Sequence, residues 1–276
     1  MDIHRTDIML HGRSSEFRID LYADTHIGSR SCNEKLLRKH VAETLDTGNS
    51  WVFIDDAIEG ITPDDKRRFN ADNVAEWVLS NPRNIIQSEC DRWAEIFTPI
   101  AKQCLFAIVG DTSHYQTGFI SDCMERTLSD MHIRRYKGAV YNTIALKRSG
   151  DNSHGSVSRQ DIVFAHGFFA GRTGGSKVNN LERCLDYFPR ASGFFCGHGH
   201  TKAVAPPRVG LYAQGKEVRS IYRRAAMTGG YLNTYESGTT GYGEYKLYPP
   251  VALGRITVVL RPWAVDDQKI MEIENA

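Results

Sequence analysis

The sequence predicts a layered α/β fold, on three observations. Five short apolar runs, rich in β-branched and aromatic residues, each stop at a polar residue. Segments with apolar residues at helical spacing lie between them. At 276 residues the chain can bury a large core without disulfide support. Its 41% hydrophobic and 24% charged content excludes disordered, collagen-like and coiled-coil classes. A net charge of +1 argues against a strongly basic nucleic-acid coat, although a balanced total can hide a local patch.

The first run is Phe17 to Ala23, ending at Asp24. Asn33 can then cap a helix with Leu37, Val41 and Leu45 on one face. The second run, Trp51 to Ile54, ends at Asp55-Asp56. Gly60 to Pro82 is polar and charged and reads as an insertion. A helix over Asn84 to Lys102 follows, with Ile86, Cys90, Trp93 and Phe97 at helical spacing. The third run, Leu105 to Val109, ends at Gly110-Asp111, before a helix over Phe119 to Met131. Arg148 to Gln160 is rich in Ser, Gly and Asn and reads as a loop or hairpin. The fourth and fifth runs, Ile162 to Ala165 and Gly193 to Cys196, end at His166 and Gly197-His198. After Thr201, β-like pieces such as Arg219 to Ala226 and Gly254 to Leu260 read as a second sheet completing a sandwich. With no repeat or linker, the chain reads as one domain, 1–276, with a helical insertion around 60–104.

Six cysteines are scattered without a CxxC pair, the usage of a reducing compartment. Met1 to Arg18 carries charges throughout and no apolar signal-peptide core, and no apolar run approaches bilayer-spanning length. The expectation is a cytoplasmic protein without a membrane partner.

Ligands of open α/β sheets bind beyond the carboxyl ends of the strands. At those ends stand Asp24-x-His26, Asp56, Gly110-Asp111 with His114, His166, and His198-x-His200. Imidazoles and carboxylates converging there predict one shared metal site. An Asp-x-His alone is a weak signal, and a His-x-His alone is often a surface loop. Their order, however, resembles the calcineurin-like metallophosphoesterase family, whose pattern is DxH, GD, GNH, H and GHxH. The resemblance covers about Phe17 to Leu260, and Met227 to Tyr231 with Tyr242 to Gly254 is similar to phage and prophage members.

That resemblance implies a metallophosphoesterase-type β-sandwich flanked by helices, four layers αββα. It implies one divalent ion on Asp24, His26 and His200, another on Asp111, His166 and His198, and Asp56 bridging them. A carboxylate can hold two cations about 3.5–4 Å apart, where a shared water ionises near neutral pH and attacks phosphorus. The mixed shell suits Mn best, with Fe, Zn or Ni as alternatives, and suits Mg less. The sequence departs from the family at two places. Asp55 replaces the Gly before the bridging Asp; it adds a charge near the metals, or else turns away to cap backbone. Gly110-Asp111-Thr112-Ser113-His114 replaces GNH, which leaves His114, two residues late, as the expected general acid, or else as a structural or metal-shell histidine with water protonating the leaving group.

Tyr115, Arg172 and Lys177 are candidate substrate contacts, the last two in the glycine-rich segment Gly171 to Lys177. The plainer reading of that segment is a surface turn, and of Tyr115 simple packing. His4, His11, His40, His132 and His154 have no partner pattern and read as core or surface. Arg67-Arg68 and Arg223-Arg224 read as solvated faces, and Trp77 and Trp93 as core. The expected activity is a phosphodiesterase acting on a nucleotide or nucleic acid, in the host cytoplasm if the chain is phage-encoded. A phosphomonoesterase or a non-catalytic scaffold are the alternatives. A protein Ser/Thr phosphatase fits less well, since Ala57-Ile58-Glu59-Gly60 stands where those relatives carry Arg-Gly.

Overall fold

A computed structural model describes residues 1–110, 118–149, 157–167, 171, 173–235, 244 and 247–275, without the side chains of 118–121 and 275. It shows a mixed α/β chain with two multi-stranded sheets. The strands are β1 (Asp2–Leu10), β2 (Phe17–Ala23), β3 (Ser50–Ile54), β4 (Cys104–Ile108), β5 (Arg135–Tyr136), β6 (Val140–Arg148), β7 (Ser158–Ala165), β8 (Gly193–Cys196), β9 (Ala203–Val204), β10 (Arg208–Gln214), β11 (Glu217–Met227), β12 (Ile256–Leu260) and β13 (Met271–Asn275). The helices are α1 (Glu34–Thr47), α2 (Glu76–Leu79), α3 (Ile85–Phe97), α4 (Gly118–Asp130) and α5 (Gly174–Asp186). One sheet runs β1-β6-β7-β8-β11-β10, with β9 beside β11, and the other runs β13-β12-β2-β3-β4-β5.

All five apolar runs are strands, but they divide between the sheets. β2, β3 and β4 are parallel neighbours in one, and β7 and β8 in the other. Their near-continuous apolar sequences follow from burial on both faces. Leu21, Val52, Ile54 and Phe106 share a cluster with Ile144, Ile162, Phe164 and Phe195 of the opposite sheet. On the other face of the first sheet, Tyr22, Trp51 and Phe53 meet Leu37, Val41, Trp93, Phe97 and Met124 from α1, α3 and α4. α5 places Leu181 and Leu185 on Val163, Phe194 and Cys196 of the second sheet.

The C-terminal expectation needs correction. The strands after Thr201 do not form a sheet of their own: β11 continues parallel to β8, and β12 pairs antiparallel with β2. Each sheet had an open edge that a late strand could fill, and edge pairing leaves no local sequence mark. β1 and β13, outermost in their sheets, were not among the expected strands; β13 alternates apolar and polar, while β1 is polar but for Ile3 up to Asp7.

Two helices also differ in detail. Asn33 does cap α1, its side chain accepting from the Leu36 amide at 3.0 Å, and Gly48 ends it in the left-handed region at φ 69. Leu45 points outward, however, and Thr44 is buried in its place, donating to Asp20 at 2.7 Å. The expected helix to Lys102 stops at Phe97, and Pro99 sits in a 3₁₀ segment, Thr98–Gln103. Residues 60–82 hold one 3₁₀ turn and the short α2, so this stretch is mainly irregular rather than helical.

Arg223 and Arg224 are not a solvated face. Arg223 is buried and donates to the carbonyls of Leu185, Phe188 and Ala191, closing the carboxyl end of α5. Arg224 donates to Met271 and Gln268. Among the other residues given plain readings, Trp93 and His40 are core, and His4 packs on Phe106 and bonds Tyr136. No helix among the described residues is long and apolar enough to cross a membrane.

Candidate metal centre

The carboxyl ends of β2, β3, β7 and β8 converge at one place. Ligand atoms of Asp24, His26, Asp56 and His200 lie within 4.8 Å of one another, and so do those of Asp56, His166 and His198. Asp56 belongs to both groups. Its Oδ2 lies 3.8 Å from His26 Nε2 and 3.4 Å from His166 Nε2. His200 Nε2 lies 3.9 Å from Asp24 Oδ1. Across the centre the rings of His26 and His200 stack at 5.0 Å, while His166 and His198 meet edge to face at 4.7 Å.

The backbone is bent to achieve this. Asp24, His26, Asp55, Asp56, His198 and His200 all have φ between 43 and 64. Non-glycine residues seldom adopt this region, and each instance costs of order 1–3 kcal/mol that surrounding structure must offset. The offset is visible. The Asp24 carboxylate accepts the His198 amide at 2.9 and 3.1 Å, tying the two strand ends together. The Asp24, His26 and Ile27 amides donate to the carbonyls of Asp55, Asp56 and Ala57. Gly197 and Gly230 permit the close approach, since a Cβ on either would lie within 3 Å of Ala23 or Asp24.

Asp55 takes the second of its two expected roles. Its carboxyl turns back to accept the amides of Asp56 at 2.9 Å and Gly110 at 3.2 Å, joining β3 to the segment after β4. Glu59, three residues after Asp56, carries a role the sequence reading did not assign: its Oε2 lies 3.1 Å from His26 Nδ1. A carboxylate there fixes the ring and leaves Nε2 facing the centre. The signal available was a further acid in the loop after Asp56. Lys177 is nearly buried at the start of α5, and its Nζ donates to Gly199 O at 2.7 Å. Asp111, His114, Tyr115 and Arg172 lie outside the described residues.

The electrostatics follow from crowding. Burial, then the charge of Asp56, pushes the Asp24 carboxyl well above the usual carboxylate range. The same two causes push Asp55 up to about 8, against the two amides it accepts. Burial alone would lower His26, but the Glu59 hydrogen bond and the Asp56 charge outweigh it and raise the ring to about 9. Burial holds His166 down to about 4 and lowers His198. Carboxylates driven together against their mutual repulsion, beside the imidazoles of His166 and His198 held neutral by burial, form a donor set whose repulsion bound cations would relieve. The residues present could therefore hold metal ions.

No family profile matches the chain, and no curated protein matches it.

Proposed function

We propose that this chain is a dinuclear metal-dependent phosphoesterase of the calcineurin-like type, most suited to a phosphodiester of a nucleotide or nucleic acid. The observation that carries this reading is Asp56, one buried carboxylate shared by two ligand groups that together draw on four strand ends. In this reading the two sheets and their helices form the αββα sandwich of that family, spanning the chain as one domain. Asp24, His26 and His200 hold one ion, and His166, His198 and Asp111 the other. Bound cations supply phosphoryl charge neutralisation and a water acidic enough to ionise near pH 7.

The chain's own residues do the rest. Asp56 fixes the spacing of the two groups, and Glu59 orients His26. Asp55 and the Asp24–His198 link hold the bent backbone in register, so the centre is set before substrate arrives. His114 is the general acid for the leaving oxygen in this scheme.

The test is hydrolysis of bis-p-nitrophenyl phosphate and p-nitrophenyl phosphate by metal-stripped protein to which Mn is restored. Diester cleavage abolished in Asp56→Asn and reduced about 10²–10⁴-fold in His114→Ala supports the reading. Preferential monoester cleavage redirects it to a phosphatase. Absence of turnover and of bound metal in folded protein refutes it.

A further inference from the structure

α5 buries three residues along one stripe, Lys177, Leu181 and Leu185. Their i, i+4, i+8 spacing is that of a core-facing face, and the first position is a lysine. An ammonium in that place loses hydration and persists only where its surroundings compensate. Nζ has a specific acceptor, the carbonyl of Gly199, at 2.7 Å. Burial lowers the pKa of the ammonium, and the negative field of Asp24 offsets that only in part.

Gly199 separates His198 from His200, the residues that contribute one imidazole to each ligand group. Both neighbours are in the left-handed region, at φ 64 and φ 50. Three of the turn's backbone groups are engaged: the His198 amide with Asp24, the Gly199 amide with Gly197 O at 2.8 Å, and the Gly199 carbonyl with Lys177. Gly199 has little slack, because a Cβ there would lie 2.0 Å from Met227 Sδ. Among the described residues, the lysine is the side chain seen to hold the middle of the turn from the helix side.

We propose that Lys177 is a positioning residue of the metal centre. It pins the His198–His200 turn through the Gly199 carbonyl, so that one buried ammonium sets an imidazole in each of the two groups. This role replaces the substrate-phosphate contact expected from the sequence, and it rests on the metal-centre reading. Thr173 strengthens it by fixing the start of α5: its hydroxyl accepts the Ser176 amide and its carbonyl the Lys177 amide.

The experiment uses the full chain, stripped with chelator and titrated calorimetrically with Mn²⁺. Lys177→Met is compared with Lys177→Gln, which keeps a donor without charge, and Lys177→Arg, which keeps the charge. Circular dichroism establishes that each is folded. Loss of a residue that orients metal ligands typically costs 10–100-fold in affinity. The expected result is a fall of that size in Lys177→Met, with most of the affinity restored in Lys177→Arg. At saturating Mn²⁺ the KM for bis-p-nitrophenyl phosphate stays at the wild-type value, a split that a substrate contact would not give. Unchanged Mn²⁺ affinity in folded Lys177→Met or Lys177→Gln overturns the proposal, and a raised KM beside it returns Lys177 to the substrate. A wild-type protein that binds no Mn²⁺ overturns the metal-centre reading itself, which separates the two failures.

Discussion

Replacing Asp56 by asparagine should stabilise the metal-free protein while abolishing its response to metal. Asp56 is about 1% exposed, with the equally buried Asp55 beside it in the chain and the Asp24 carboxylate within 4.8 Å. At an effective dielectric of about 20, two unit charges at such a distance repel by about 3 kcal/mol. Against this, Asp56 attracts the raised imidazole of His26 at 3.8 Å by a similar amount. His26 keeps a second counter-charge in Glu59, so that attraction is only partly lost. Two repulsions and the desolvation of the Asp56 carboxylate therefore outweigh one attraction. Because protonation of Asp24 and Asp55 already relieves part of the strain, the net gain is about 1–3 kcal/mol, or about 2–5 °C in Tm. Wild-type protein should instead gain about 2.7 kcal/mol for each ion supplied at a hundred times its Kd. Differential scanning fluorimetry in chelator and in excess Mn²⁺ should thus show the two melting curves exchanging order. An Asp56→Asn protein less stable than wild type in chelator would falsify the crowding argument.

Two further predictions concern the scaffold. His40, buried against Tyr231 with its ring Nδ1 3.0 Å from the phenol oxygen, is held down to about 4 by burial and the nearby Arg255 charge. Its folded-state value lies below its unfolded one, so the stability it contributes is present above about pH 6.5 and is lost as pH falls toward 4. Denaturant midpoints between pH 7 and 4 should fall less steeply in His40→Gln than in wild type, and equal slopes would remove His40 from the account. Arg255 reaches Asp20 at 3.3 Å with both side chains nearly or wholly buried, and Asp20 also accepts from Thr44, Asn49 and Thr257. Arg255→Met should cost about 3–5 kcal/mol by stranding the Asp20 charge, and Asp20→Asn added to it should recover part of the loss. A double variant as unstable as the single one would show that the arginine's packing, not its charge, matters.

The strands that carry the site were legible because burial turns β2, β3, β8 and the carboxyl half of β7 into apolar runs, each broken by a polar residue at or just past its end. The same breaks marked Asp24, Asp56, His166 and His198, so most of the candidate ligands could be read before any geometry. A helix cap is equally local, and Asn33 was found by it. Which sheet a strand joins was not legible. β11 and β12 lie close in sequence yet enter different sheets, because backbone pairing selects an open edge rather than a side-chain pattern. β1 escaped notice because an edge strand exposed along one side lacks the apolar density of a central one.

What the sequence alone determined is the set of strand ends and the ligand types standing on them, since both follow from polarity changes along a few residues. Only the tertiary structure decided that Asp56 serves two groups, that Asp55 turns to the Gly110 amide, that Glu59 faces His26, and that Lys177 reaches the Gly199 carbonyl. Each of those is a contact across separate loops or elements, set by the angle at which buried surfaces pack. No local preference of the chain encodes that angle; it emerges when the sheets and helices close on their shared cores.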